Sequence, residues 1–171
     1  MSNFGAGSSN DRGIAPKATN DAVLLIRAEQ PAAIAAMMGA YLHELVPGTP
    51  PDYPQFSRWW HDAARVPYMI RVAGEDAGFA LVRRHGPPTV HELAEFTVLP
   101  RFRRAGVGRA AAAELFERHP GAWWLQVLDD NAPACRFWQA VAPPPVRRVP
   151  RCSASGRAYS ILQFVAPRPA R

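Results

Sequence analysis

Residues 91–118 carry the feature that most constrains the fold: a strand-like run, an arginine-rich turn holding two glycines, and a helix-forming run, in direct succession. His91 to Leu99 has the apolar and β-branched content of a sheet strand. Val107 to Arg118, rich in Ala, Leu and Glu, is expected to be helical. Between them stand Arg101, Arg103, Arg104 and Arg109, with no acid between Phe96 and Ala113. A helix N-terminus offers unpaired N–H groups and the positive end of the dipole, which suits phosphate. Gly106 and Gly108 lack Cβ, so a pyrophosphate could approach the backbone closely. A merely solvated basic turn would not require strand, glycines, arginines and helix at compatible spacing.

The rest of the chain alternates in the same way. Residues 1–20 are small and polar and are expected to be a flexible leader, with one domain over 21–171. A strand is expected over Ala22 to Arg27 and a helix over Ala32 to Leu45, opened by Pro31 and stopped by Pro47 and Gly48. Pro47 to Pro54 is a loop, and Gln55 to Ala64 a short aromatic helix. Tyr68 to Ala73 and Gly78 to Arg83 form a hairpin about the turn at Gly74. Ala122 to Leu128 is a strand, Ala132 to Val141 a helix capped by Asn131, and Val146 to Val165 mostly strand with a turn near Ser155-Gly156. No apolar run approaches the ~18 to 20 residues of a membrane span, and the N-terminus lacks a signal-peptide core. Cys135 and Cys152 make neither a disulfide scaffold nor a zinc site, so no metal is expected, and the expected compartment is the cytoplasm.

The net charge of +6 is unevenly placed: all 14 acids lie within residues 1–130, whereas 131–171 hold seven arginines and no acid. Such asymmetry suggests an anionic ligand or surface. Nucleic acid is disfavoured, because no helix-turn-helix, RNP-like string or zinc pattern is present. Gly106-x-Gly108-x-x-Ala111, followed by Asp129, also fits a dinucleotide fingerprint. Seven residues separate the strand from Gly106, however, and too little chain follows Asp129 for a doubly wound sheet.

Arg103-x-x-Gly106-x-Gly108, within Val98-x-Pro100-x-Phe102-Arg103-x-x-Gly106-Val107-Gly108, resembles the signature of the GNAT superfamily of N-acetyltransferases. Asn131-x-x-Ala134-x-x-Phe137-Trp138 resembles that superfamily's second motif, and Ala94-Glu95-Phe96 with Phe137-Trp138 is similar to a bacterial subgroup of predicted acetyltransferases. The resemblance implies an α/β fold with a mixed, mostly antiparallel central sheet flanked by helices, and a splayed strand pair that binds acetyl-CoA. It implies that backbone groups of Phe96 and Val98 meet the acetyl and pantetheine part. The N–H groups of Arg103, Arg104, Ala105, Gly106, Val107, Gly108 and Arg109 would cradle the pyrophosphate, and Asn131 would contact the pantetheine arm. It also implies acetyl transfer to a primary amine of a small molecule or peptide by direct attack on the thioester. A non-catalytic acyl-CoA sensor is the alternative, and a homodimer is compatible with either.

A protonated amine needs a base. Glu92 and Glu95 precede the loop; three apart on a strand, they point to opposite faces, and Glu92 shares the face of Phe96 and Val98 unless a bulge intervenes. Both are candidates, with His91 a weaker one. Trp138 stands where many family members have a tyrosine that protonates the leaving thiolate, and indole has no hydroxyl. Either Tyr41, Tyr53, Tyr159 or water donates instead, or the CoA thiolate leaves unprotonated. Ala142-Pro143 replaces the family's usual Gly-Phe. Tyr41, His43, Tyr53, Phe56, Trp59, Trp60 and His61 are expected on the acceptor side, as binding aromatics or as core. Arg147, Arg148 and Arg151 suggest an acceptor with negative charge near its amine.

Overall fold

A computed structural model describes residues 23–48 and 52–168. The expected leader, and residues 49–51 of the proline-rich loop, lie outside the described residues. The elements are β1 (Val23–Arg27), α1 (Ala32–Leu45), a 3-10 helix (Phe56–Trp60), β2 (Arg65–Val72), β3 (Glu75–His85), β4 (Val90–Val98), a 3-10 turn (Pro100–Phe102), α2 (Val107–Arg118), β5 (Gly121–Leu128), α3 (Ala132–Val141), β6 (Arg147–Cys152) and β7 (Ala158–Ala166). The three α-helices have the boundaries expected from the sequence, because their stops and caps are local. Pro31 precedes α1, and its carbonyl accepts the Ala35 N–H at 2.8 Å. The Asn131 side chain caps α3 by accepting the Ala134 N–H at 3.1 Å. The aromatic segment is shorter than expected and is a 3-10 helix.

The strands form one seven-stranded sheet in the order β1-β2-β3-β4-β5-β7-β6. Every neighbouring pair is antiparallel except β4 and β5, whose parallel pairing is made possible by the α2 crossover. This arrangement excludes the doubly wound parallel sheet of a dinucleotide fold.

Alternation along the strands divides the core between two faces. On one, α2 and α3 cover Ile70, Ala80, Val82, Leu93, Leu125 and Leu162. On the other, α1 and the 3-10 helix cover Met69, Phe79 and Leu81 with Met37, Met38 and Trp59. Of the adjacent tryptophans on β5, Trp123 is buried against Phe116 and stacks parallel to Phe164, whereas Trp124 faces the opposite side and is half-buried. Each large side chain so buried contributes about 1.5–3 kcal/mol.

Two irregularities position the site. The β4–β5 pairing runs from Val90↔Ala122 to Leu93↔Leu125 and stops, although both strands continue to Val98 and Leu128. Beyond Leu93 the strands diverge and expose one backbone edge each. At the same place the β3–β4 register slips: Leu81 opposes Glu95 and Val82 opposes Leu93, so Ala94 is an extra, bulged residue.

Candidate active site

The bulge at Ala94 corrects the simple parity expectation for β4. Phe96, Val98 and Leu93 pack with the core under α2 and α3, whereas Ala94 packs with the core under α1. Glu92 and Glu95 therefore share one face instead of pointing apart, and both border a cavity of about 180 Å³ with Tyr53, Arg83, Trp124 and Gln126. Glu92 does not share the face of Phe96 and Val98.

The two carboxylates have different partners. Glu92, buried, accepts from Arg83 Nε at 2.5 Å and lies 2.7 Å from His85 Nε2. Glu95 accepts a hydrogen bond from the Tyr41 hydroxyl of α1, and Tyr53 borders the smaller cavity beside it. Burial is the main influence on Glu95 and pushes its carboxyl above the usual range. The two tyrosine hydroxyls oppose that shift, and the nearby Glu92 charge adds to it. His91 lies away from this cluster, buried beside Trp123 and His119, and burial lowers its pKa.

A second, larger cavity of about 570 Å³ fills the wedge between the diverging strands. Glu95 and Phe96 border it on one side, Val127 and Leu128 on the other, and Asn131 and Trp138 from α3. Leu93, Ala94, Glu95 and Gln126 border both cavities, so Glu95 stands where the two meet. Tyr41 borders the larger cavity and Tyr53 the smaller.

The arginine-rich turn lies past the end of β4, and its side chains are largely engaged. Arg103 donates to the Val98 carbonyl at 2.6 Å and makes a bidentate pair with Glu44 of α1 at 2.7 Å on both nitrogens. Arg101 pairs with Glu75, and Arg109 reaches the Ala140 carbonyl at 3.3 Å. Arg104 is exposed with φ +65, a left-handed backbone that a non-glycine residue adopts at some cost.

Gly106 is the N-cap of α2 at φ +83, and a Cβ there would meet nothing within 4 Å. Among the described residues no side chain caps α2, so its first N–H groups remain available to a ligand. Gly108 differs: a Cβ would come within 3.1–3.2 Å of the Phe137 ring, so its absence allows α2 to pack on α3. Uncapped N-terminus, open space at Gly106 and the unpaired edges of the wedge fit the pyrophosphate and the extended arm of a CoA thioester.

Most of the expected acceptor-side aromatics serve as core. Tyr41 packs edge-on against Phe79, and Phe56 against Trp60, whose indole N–H donates to the Ala28 carbonyl at 2.9 Å. His61 is exposed beside its own helix. Cys135 is half-buried and packs beside the core; both cysteines are free. Asp129, the residue a dinucleotide fold would set on a ribose, bonds Arg148 and Ser160, each at 2.8 Å. Among the described residues there is no cluster of three or more potential metal ligands. Among them, too, no helix is long and apolar enough to cross a membrane.

The sheet with one parallel pair, the wedge beside it and the glycine-opened helix define an α/β fold with an open cleft beside a helix N-terminus. Residues 32–142 match the acetyltransferase (GNAT) family, and the chain belongs to that family of N-acetyltransferases. No curated protein matches the chain. The fold is similar to an acetyltransferase from Thermus thermophilus, at TM-score 0.63 and 17% identity over 84% of this chain and 96% of that one. It is also similar to the ribosomal-protein-S18-alanine N-acetyltransferase from Escherichia coli, at TM-score 0.59 and 20% identity over 87% and 97% of the two chains. The spermidine/spermine N-acetyltransferase from Vibrio cholerae aligns at TM-score 0.60 and 13% identity over 86% and 94%. At these identities the likeness shows the fold alone.

Proposed function

We propose that this enzyme transfers an acetyl group to the primary amine of a small molecule or peptide, with Glu95 as the base. The observation that carries this assignment is the place of Glu95, half-buried at the junction of the two cavities and, among the described residues, without a cationic partner. Glu92, by contrast, is held by Arg83 and His85, and its contribution is to fix that wall of the smaller cavity. Acetyl-CoA supplies an acetyl thioester. The free backbone edges at Phe96 and Val98, with Asn131 across the wedge, orient the donor, and the backbone of residues 103–109 holds its pyrophosphate. An amine enters through the smaller cavity, and Glu95 takes its proton. Its raised pKa brings the carboxylate closer in basicity to an amine, which favours proton transfer.

The likeness in fold to a ribosomal-protein-alanine and to a spermidine/spermine N-acetyltransferase is in keeping with an amine acceptor and does not choose between peptide and small molecule. The enzyme needs neither metal nor nucleic acid for this chemistry, and two unpaired cysteines accord with a cytoplasmic location. Calorimetry with CoA, followed by thiol release from acetyl-CoA across an amine panel, tests the assignment. CoA binding and amine-dependent thiol release are expected. CoA binding with no release on any amine would instead make the chain an acyl-CoA sensor.

A further inference from the structure

We infer that Tyr41 delivers the proton required by the departing CoA thiolate and takes its replacement from Glu95, so that base and acid form one hydrogen-bonded unit. The inference rests on Glu95 being the base. Its ground is the sidedness of the two tyrosines near Glu95: Tyr41 bonds Glu95 and borders the wedge between β4 and β5, whereas Tyr53 borders the smaller cavity. A proton placed on Glu95 from the amine side therefore has a bonded outlet on the thioester side. Trp138 borders the same wedge, and its indole is far too weak an acid to serve.

Tyr41 is also held in place. Its ring packs edge-on against Phe79, with centroids 5.5 Å apart. One turn further along α1, Glu44 is clamped by Arg103, which is itself bonded to the Val98 carbonyl at the end of β4. The arginine of the first motif thus ties α1, and Tyr41 with it, to the strand that carries Glu95. Burial and the neighbouring Glu95 charge push the Tyr41 hydroxyl well above its ordinary value, so it enters each turnover protonated.

The step balances within these groups. Once its ammonium proton has left to solvent, the amine nitrogen forms the new C–N bond and gives one proton to Glu95. The C–S bond breaks, and its electron pair goes to sulfur. Sulfur takes the Tyr41 proton, and the Glu95 proton moves to the Tyr41 oxygen. Glu95 ends ionised and Tyr41 protonated, as they began. The N–H proton has in effect become the S–H proton.

The test has a binding readout and a kinetic one. In the complex with CoA alone, thiolate absorbance reports ionisation of the bound thiol. Donation from Tyr41 stabilises the thiolate, so Y41F is expected to raise the bound thiol's pKa by about 1–2 units. With acetyl-CoA, Y41F is expected to lower kcat by about 10²-fold. With the acetyl thioester of an acidic aryl thiol, whose thiolate leaves without a proton, the loss should shrink to about threefold or less. Y53F should raise KM for the amine and leave the comparison between donors unchanged. Identical thiol titrations in wild type and Y41F, or an equal Y41F loss with both donors, overturns the inference, as does the same signature in Y159F instead. If Y41F does not fold, fluorotyrosine at position 41 keeps the ring and strengthens the acid. The bound thiol must then ionise at lower pH, and no change overturns the inference. Failure of the wild type to bind CoA removes the proposed function and this inference with it, whereas CoA binding with an unresponsive thiol removes this inference alone.

Discussion

Glu92 and Glu95 illustrate how environment divides identical side chains. Arg83 and His85 bracket Glu92 within 2.7 Å, whereas Glu95, half-buried, is bonded by the neutral Tyr41 hydroxyl and lacks a cation among the described residues. Glu95→Gln should lower kcat by about 10²–10⁴-fold while CoA affinity is kept. Because it removes a charge that burial disfavours, the same variant should melt at or above the wild-type temperature. Glu92→Gln should behave in the opposite way. It leaves Arg83 without its anion and costs about 2 kcal/mol, less than a fully buried pair because Arg83 keeps about a third of its side chain in water. Denaturant titration and steady-state kinetics on the two variants separate these outcomes, and reversed phenotypes would exchange the roles. The sequence placed both carboxylates beside the loop. It did not place them on one face, because a bulge depends on how β3 and β4 pair and not on the residues of β4 alone.

At the scale of elements, the two glycines of the first motif have separate physical reasons. Gly106 is required by its own backbone, at φ +83, a local property that the motif spacing already signals. Gly108 is required by Phe137, which lies 29 residues away in sequence and meets it only when α2 packs on α3. Gly108→Ala should cost about 1–3 kcal/mol through overpacking, and Phe137→Leu in the same chain should recover part of that cost. Denaturant midpoints of the single and double variants measure the coupling, and additive losses would exclude the contact. Helix limits were legible from Pro31, Pro47, Gly106 and Asn131, which act on their immediate neighbours. Strand limits were less so. β2 begins at Arg65 because it pairs with Arg83 of β3, and β3 extends to His85 because it pairs with Val90 of β4.

Across the whole molecule, the charge asymmetry that suggested an anionic acceptor is partly internal. Arg148 pairs with Asp129 and Arg157 with Asp130, acids that stand just before the basic C-terminal segment in sequence and beside it in space. Arg147 and Arg151 remain exposed on β6. Global stability has its own titratable cluster at the end of the sheet remote from the wedge. His119 Nε2 lies 2.8 Å from the Tyr68 hydroxyl, and His91 is buried against Trp123. Burial, His91 and two nearby arginines push His119 down to about 4, and burial lowers His91 as well. The unfolded chain takes up protons near pH 6.5 that the folded His119 refuses until about pH 4, so stability should be full above about pH 6.5 and decline as pH falls to about 4. Thermal melts across that range should show the decline, and His119→Gln should reduce it. A decline of equal size in the variant would assign it to other groups.

The sequence alone determined the order of the elements, the helix boundaries, the strand–turn–helix unit and the family it resembles, because propensity, capping and turn chemistry act over a few residues. Only the tertiary structure decided which face each carboxylate occupies, which tyrosines meet Glu95, why Gly108 must be a glycine and how the C-terminal arginines are paired. Those outcomes depend on strand register and helix packing, which bring together residues tens of positions apart.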